Sequence, residues 1–556
     1  MSEARTSDLW WKNAVIYCLD VATFLDWDGD GCGDLAGLTE RLDYLAGLGV
    51  SCVWLMPFYP TPDRDDGYDV TDYYGVDSRL GSLGDFVAMV RTAKDRGLRV
   101  IVDLVVNHTS DQHPWFQDAR SRPDSKYRDY YVWREEPTDS PDAEPVFPDA
   151  EDDIWSYDSV AQQWYLHHFY SHQPDLNIAN PDVREEIAKI AGFWLELGVD
   201  GFRVDAVPFL LETGGIEGGA ALDPHAALRD LRAFMTRRRG GAMLLGEVNL
   251  PPDPLRRYFG DEDGDELHMQ FAFPVMQAMY LSLARGDARP LADSLRALPQ
   301  IPEDSQWAQF ARNHDELTLD QLSEAERQEV FDAFGPDEDM QLYGRGIRRR
   351  LPSMLEGDED RIRLVYSLVF SLPGTPVLFY GEEIGMAENL EVEGRLSVRT
   401  PMQWQDDSTG GFSTANPAGL VRPVVEGDFG PKHVNVHDQR RDSDSFLNWM
   451  ERVIRRRRET PEFGWGTPTV LETGHRSILA HRCDWRGVTV MAVHNFGSEK
   501  RTVRIDLDGD FPEEPSEDLL RAETGPAPKR GKLVFDLEGH GHRWLRLRAG
   551  DHPISP

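Results

Sequence analysis

Short runs of consecutive apolar residues alternate with stretches whose apolar positions recur every three to four residues. NAVIYCL (13–19) is followed by LTERLDYLAGLG (38–49), CVWLMP (52–57), DFVAMVRTAKDRG (85–97) and LRVIVDLVV (98–106). A short run apolar on both faces predicts a strand buried in a parallel sheet, and the longer period predicts a helix laid over it. Five further strand candidates follow: GFRVDAV (201–207), MLLGEVN (243–249), QFAFP (270–274), WAQFARNHD (307–315) and TPVLFYG (375–381). Eight strands separated by helices predict an α/β chain closed into a (β/α)8 TIM barrel, whose chemistry belongs at the C-terminal strand ends.

Two regions break the rhythm. From 109 to 180 the chain is rich in Asp, Pro, Trp and Tyr and has no strand–helix repeat, which predicts an inserted, lid-forming subdomain after the third strand. Beyond Arg458 the pattern becomes SILAHRC, VTVMAVHNF, RTVRIDL, KLVFDL and HRWLRLR with turns between, which predicts a C-terminal antiparallel β-sandwich. The expected division is a barrel of 1–108 and 181–458, a subdomain of 109–180 and a sandwich of 459–556.

Composition narrows the partners. With 59 basic against 97 acidic residues the formal net charge is −38, a field that repels nucleic acid and anionic membranes and suits a neutral small molecule. No run of about eighteen apolar residues is present, so no membrane span is predicted. The opening MSEARTSDLWWKN lacks an apolar signal core, which favours a cytoplasmic location. The cysteines, Cys18, Cys32, Cys52 and Cys483, form neither a disulfide framework nor a zinc pattern. Oligomeric state stays open, a homo-oligomer included.

Four strand ends gather charged and polar groups: Asp103, Asn107 and His108; Arg203 and Asp205; Glu247; and Asn313, His314 and Asp315. One carboxylate at a strand end could be a helix cap or an ion-pair partner, but a structural barrel has no need for so much polarity on one rim. The order and wording of these motifs resemble the α-amylase clan, glycoside hydrolase family thirteen, over nearly the whole chain. The resemblance implies Asp205 as nucleophile, Glu247 as acid/base and Asp315 as transition-state stabiliser, with His108 and His314 donating to sugar hydroxyls. A retaining mechanism needs one ionised and one protonated carboxyl about 5–5.5 Å apart. Arg203, on the same strand face, can hold Asp205 ionised, so Asp205 is expected to have the lower pKa and Glu247 the raised one. A barrel kept only for binding or scaffolding would lack one of this pair, and both are present. In DDGYD, by the same resemblance, Tyr68 would stack on the terminal sugar and Asp65 would bind its outer hydroxyls. Arg399 of VRTPMQW is the expected partner of Asp65, closing a one-glucose pocket.

Two Ca2+ sites are expected, and no organic cofactor. In DWDGDGCGD, Asp26, Asp28, Asp30 and Asp34 with the carbonyl of Cys32 give oxygen ligands at alternate positions, spaced like an EF-hand loop; the alternative is a solvated acidic turn. A second set is carried over from trehalose synthases, a branch of the family: Asn107, Asp175, Glu212 and the carbonyls of Phe209 and Leu210. SHQPDLN, DAVPFLLE, FARNHDELTL, GIRRRL and SLPGTPVLFYGEEIGM are also similar to that branch. It implies interconversion of maltose and trehalose with some hydrolysis to glucose, and a second lid between DELTL and about Asp358 to retain the released sugar. An exo-acting α-glucosidase, or an α-glucosyltransferase with another acceptor, is the alternative. The chain departs from relatives at Cys18 (Gln or Glu there), at Ala22-Thr23 (Arg and a small residue), at Val248 (Ala) and in Gly-rich 213–222.

Overall fold

The computed structural model describes residues 9–137, 145–212, 223–261, 264–507, 509 and 511–548. The Gly-rich departure at 213–222 lies outside them. Eight parallel strands form the barrel: β1 (Ile16–Leu19), β2 (Cys52–Leu55), β3 (Arg99–Leu104), β4 (Gly201–Val204), β5 (Met243–Gly246), β6 (Met269–Phe271), β7 (Gln306–Phe310) and β8 (Thr375–Phe379). They close in the order β1-β8-β7-β6-β5-β4-β3-β2. Six fall within the runs read from the sequence, and β6 and β7 each begin one residue earlier, because a strand covered on both faces must be apolar along its length.

Local chemistry sets where helices begin and end. Asp34 caps Leu35–Leu48 by accepting Gly37 N–H at 2.7 Å, and Gly49 ends that helix at φ 97°, a conformation a β-carbon disfavours. Ser82 and Asp85 form a capping box for Leu83–Asp95, and Asn180 with Pro181 starts Pro181–Glu196. At the start of β4 a β-carbon on Gly201 would lie 2.3 Å from the Met243 carbonyl oxygen, so only glycine fits there. Register then decides the site. Asp103 of β3 stands opposite Arg203 of β4, and Val204 opposite Gly246 of β5, which delivers Asp205 and Glu247 to the rim at one height.

Between β3 and β4 lies a small antiparallel sheet of Trp133–Arg134, Gln163–Leu166 and Trp155–Asp158. Beyond Arg458 a six-stranded sheet (Thr467–Leu471, Ile478–Trp485, Val488–Asn495, His542–Arg548, Glu517–Asp518, Glu523–Thr524) faces the pair Arg501–Asp506 and Lys532–Leu537. Ile478, Met491 and Val493 from one sheet pack with Val503, Ile505 and Leu533 from the other, which makes an antiparallel sandwich. No helix among the described residues is long and apolar enough to cross a membrane.

The sandwich docks on barrel helix Glu359–Ser371 through histidines. His481 and His494 are stacked with ring centroids 6.4 Å apart and planes within 3°, and His542 continues the stack at 6.2 Å. His481 Nε2 donates to the Ser371 carbonyl at 2.9 Å, and His494 Nε2 meets Ser367 Oγ at 2.9 Å. Neither Nδ1 has a protein partner, so an added proton would be a buried charge. Burial pushes His481 down to about 4 and His494 well below its usual value. In the unfolded chain both titrate near 6.5. Their contribution to stability is therefore complete above about pH 6.5 and falls progressively towards pH 4, by the order of 3 kcal/mol per fully shifted histidine. Urea unfolding at pH 7 and at pH 5 should show this loss, and His481→Gln should flatten the slope; an unchanged slope would remove these rings from the account.

Candidate active site

One guanidinium organises the floor of the barrel mouth. Arg203 is 1% exposed, and its Nη1 lies 2.6 Å from Asp103 Oδ1 and also bonds Asp205 Oδ1, while Nη2 lies 2.8 Å from Glu247 Oε2. Asp103 is held in turn by Trp54 Nε1–H at 2.8 Å. Glu247 Oε2 also accepts the Ala206 N–H at 3.2 Å, and Ala206 sits at φ 48°, in the left-handed region, immediately after Asp205. Asp205 and Glu247 thus stand within the span of one guanidinium fork, facing the same space.

That space is a cavity of about 520 Å3, large enough for a disaccharide. Asp65, Tyr68, His108, Asp205, Glu247 and Asp315 are among its lining residues. Tyr68 O–H meets His314 Nε2 at 2.7 Å with the two rings stacked, and His314 Nε2 is 3.1 Å from Asp315 Oδ2. His108 Nε2 donates to the Tyr68 carbonyl at 3.1 Å, so that proton holds the DDGYD loop rather than pointing at a ligand.

The bridge expected between Asp65 and Arg399 is not the one that forms. Asp65 Oδ1 pairs with Arg395 Nη2 at 2.6 Å, and Arg395 Nη1 reaches Asp315 Oδ1 at 2.6 Å. Arg399 pairs with Asp66 Oδ2 at 2.6 Å and with Asp315 Oδ1 at 2.9 Å. Both arginines lie on the same short turn, Gly394–Val398 and its C-cap, four residues apart, so each carboxylate of DDGYD takes its own. The doubled arginine in GRLSVR was the available signal, and sequence reasoning missed Arg395, Asp66 and the guanidinium of Arg422 beside it.

Two chain segments meet over the cavity. Arg345 Nη2 donates to the Val146 carbonyl at 2.6 Å, Tyr343 N–H to Asp149 Oδ2 at 3.2 Å, and the Phe147 and Tyr343 rings lie 5.2 Å apart. Arg395 stacks on Phe147 at 4.7 Å, tying this contact to the Asp65 bridge.

Of the first metal set, Asp26, Asp28 and Asp34 place carboxylate oxygens within 4.8 Å of one another. Asp30 is outside that group, and its Oδ1 accepts the Cys32 N–H at 2.8 Å. In the second set, Asp175 accepts the Asn107 amide at 3.2 Å on Oδ1 and is bonded on Oδ2 by His168, and the Phe209 ring lies 5.4 Å from the His168 ring.

Burial is the largest influence on Asp205 and outweighs Arg203, with Asp103 and Asp315 adding to it; the carboxyl rises to about 6. Glu247 rises to about 7, again through burial first, opposed by Arg203 and reinforced by Asp205. Asp205 is the lower of the two, but Arg203, divided among three carboxylates, does not hold it below its ordinary range. Asp315 is half-buried, and His314, Arg395 and Arg399 bring it well below the usual carboxylate value. An ionised Asp205 beside a protonated Glu247 exists mainly between the two apparent values of the pair. The rate constant kcat/KM should therefore rise as pH passes about 6 and fall as it passes about 7, a narrow bell. A plateau extending from pH 5 to pH 9 would contradict this pairing.

Comparison with known proteins follows the same lines. The sequence profile of the alpha amylase catalytic domain matches residues 19–331 and 347–466, and that of a sucrose hydrolase-like C-terminal domain matches 487–546. The trehalose synthase/amylase of Mycolicibacterium smegmatis is 42% identical over 561 residues, covering 98% of this chain and 94% of that protein. The trehalose synthase of Pimelobacter sp. R48 is 40% identical, covering 98% and 97%. Among solved structures, the trehalulose synthase of Pseudomonas mesoacidophila MX-45 superposes with a TM-score of 0.76 at 27% identity, covering 97% of this chain and 99% of that one. With its barrel, its strand-end carboxylates and its sequence all in agreement, the chain belongs to the alpha-amylase family, glycoside hydrolase family thirteen.

Proposed function

We propose that the protein interconverts maltose and trehalose by moving one glucosyl group within a closed site, with minor hydrolysis. The observation that carries the reading is the shared grip of Arg203 on Asp205 and Glu247 beneath two segments that meet over the cavity. In this mechanism Asp205 Oδ attacks the anomeric carbon as the glycosidic C–O bond breaks, and Glu247 gives its proton to the departing sugar oxygen. Glucose stays in the site and turns. Its anomeric hydroxyl then attacks the glucosyl-aspartate, returns the proton to Glu247 and releases Asp205. Asp315, held ionised by two arginines and His314, grips ring hydroxyls of the transferred group. Asp65 and Arg395 wall off the end of the pocket, so one terminal glucose enters. The contact of 145–149 with 343–345 excludes water, which would otherwise intercept the intermediate. The 40–42% identity to trehalose synthases supports the same reading. In this scheme 109–180 is the lid subdomain, the barrel carries the reaction and the C-terminal sandwich braces it.

Ca2+ fits at Asp26, Asp28 and Asp34, in a structural role. Three carboxylates so close repel one another without a cation among them. Asp26 is further oriented by the Gly29 and Gly31 N–H groups at 2.7 and 2.8 Å, and Asp34 caps the first barrel helix. The ion's contribution would be to fix this loop onto β1 and that helix.

Maltose and trehalose, incubated separately with the enzyme, should each yield the other, with free glucose as the smaller product. Glucose alone would make the protein an exo-acting α-glucosidase, and a third disaccharide would mean a different acceptor. Chelation should lower the Tm, since a ligand at 100 times its Kd stabilises the folded state by about 2.7 kcal/mol. Metal analysis finding no calcium, with Tm indifferent to chelator, would return the loop to a solvated acidic turn.

A further inference from the structure

Asp66 adopts φ 50°, in the left-handed region that residues with a β-carbon occupy only under constraint. The constraint is visible on both carboxylate oxygens. Arg399 Nη1 holds Oδ2 at 2.6 Å, and Arg422 Nη2 bonds Oδ1. Arg422 comes from the segment after the VRTPMQW motif and belongs to no barrel strand, yet it is 7% exposed. Its Nη1 donates to the Arg399 carbonyl at 2.9 Å and lies 3.1 Å from Asp20 Oδ2. Asp20 follows β1 and is itself fixed by the Ala22 N–H and the Thr23 hydroxyl, both at 2.9 Å. The outcome is a row of alternating charge, Asp20, Arg422, Asp66, Arg399, Asp315, with both arginines and Asp20 buried, anchored beside β1 and ending on a carboxylate that lines the cavity.

We propose that Arg422 is a positioning residue for Asp315, acting through Asp66 and Arg399. Arg399 has a single guanidinium for two carboxylates. While Arg422 satisfies one oxygen of Asp66, Arg399 can divide itself between Asp66 and Asp315. Without Arg422, Asp66 would face Arg399 as its sole cation in a poorly screened interior, where such attractions are strong. Arg399 would be drawn towards Asp66, and its backbone would lose the fastening at the carbonyl. Asp315 would then depend on Arg395, which Asp65 already shares. A lysine could supply the charge at one point but not the fork that reaches Asp66, Asp20 and the Arg399 carbonyl together.

This inference rests on Asp315 gripping the transferred glucosyl group, as proposed above. The test is a coupled pair of substitutions assayed on maltose, with melting curves to verify folding. Arg422→Met should lower kcat/KM by about ten- to a hundredfold, the range for a misplaced site group. Arg422→Lys should fall between Met and the native residue. Adding Asp66→Asn removes the competing charge, so Asp66→Asn/Arg422→Met should recover at least part of the Arg422→Met loss. A merely structural arginine would instead give losses that add. Should Arg422→Met not fold, Asp66→Asn/Arg422→Met is compared with Asp66→Asn alone, and the proposal requires similar kcat/KM in the two. Additive losses, or a folded Arg422→Met with native kcat/KM, would overturn it. If the native enzyme left maltose unconverted, the functional reading would fall instead, and release of 4-nitrophenol from 4-nitrophenyl α-glucoside would carry the same comparison.

Discussion

A single buried cation, Arg203, is the constraint around which the barrel mouth is built. It is 1% exposed and touches Asp103, Asp205 and Glu247, with the Tyr68 hydroxyl at 3.5 Å. A guanidinium offers a planar fork of donors and cannot give up its charge, so it can fix several carboxylates at once. Removing one partner of a buried pair typically costs about 3–5 kcal/mol, because the other charge is stranded. The close packing of β3, β4 and β5, including the glycine that lets β4 approach Met243, serves to bring these groups to one height. Burial lifts Asp205 and Glu247 above their ordinary values, more than one positive charge divided among three acids offsets, and they stand close enough for their protonation to be linked.

Around this floor the walls follow the same rule of alternating charge. Asp315 is ringed by Arg395, Arg399 and His314, and each arginine is balanced by a different aspartate of DDGYD. The network does two things. It keeps a half-buried Asp315 ionised, and in the proposed scheme it closes one end of the pocket. Above it, Phe147 stacks on Arg395 and meets Tyr343, so the roof rests on the same arginine that pairs with Asp65. A sugar released inside such a cavity is held by geometry as much as by hydrogen bonds, the condition that favours return over escape.

The acidity of the chain, −38 overall, has no part in this local arrangement. Among the described residues, carboxylates outside the site are exposed or paired with nearby arginines in cases such as Asp43 with Arg96 and Glu329 with Arg285. They set the long-range field, which is indifferent to an uncharged disaccharide.

How much could be read from the chain alone follows from which forces are local. The barrel strands, the helices over them and the strands of the C-terminal sandwich were legible because burial on two faces or on one leaves a periodic trace in the sequence. The strand-end groups Asp103, Arg203, Asp205, Glu247, His314 and Asp315 were legible because charge at the end of an apolar run is out of keeping with packing. Pairings between distant loops were not. Whether Asp65 takes Arg395 or Arg399 depends on how a turn at 394–398 presents two side chains to a loop more than three hundred residues earlier, and no periodicity records that distance. The pairing of His168 with Asp175, and of Arg422 with Asp66, has the same cause. So has the elevation of Asp205, which reflects burial and the sharing of Arg203, quantities that exist only once β3, β4 and β5 lie side by side. Sequence determined which residues could react; the closed barrel decided which of them share a charge.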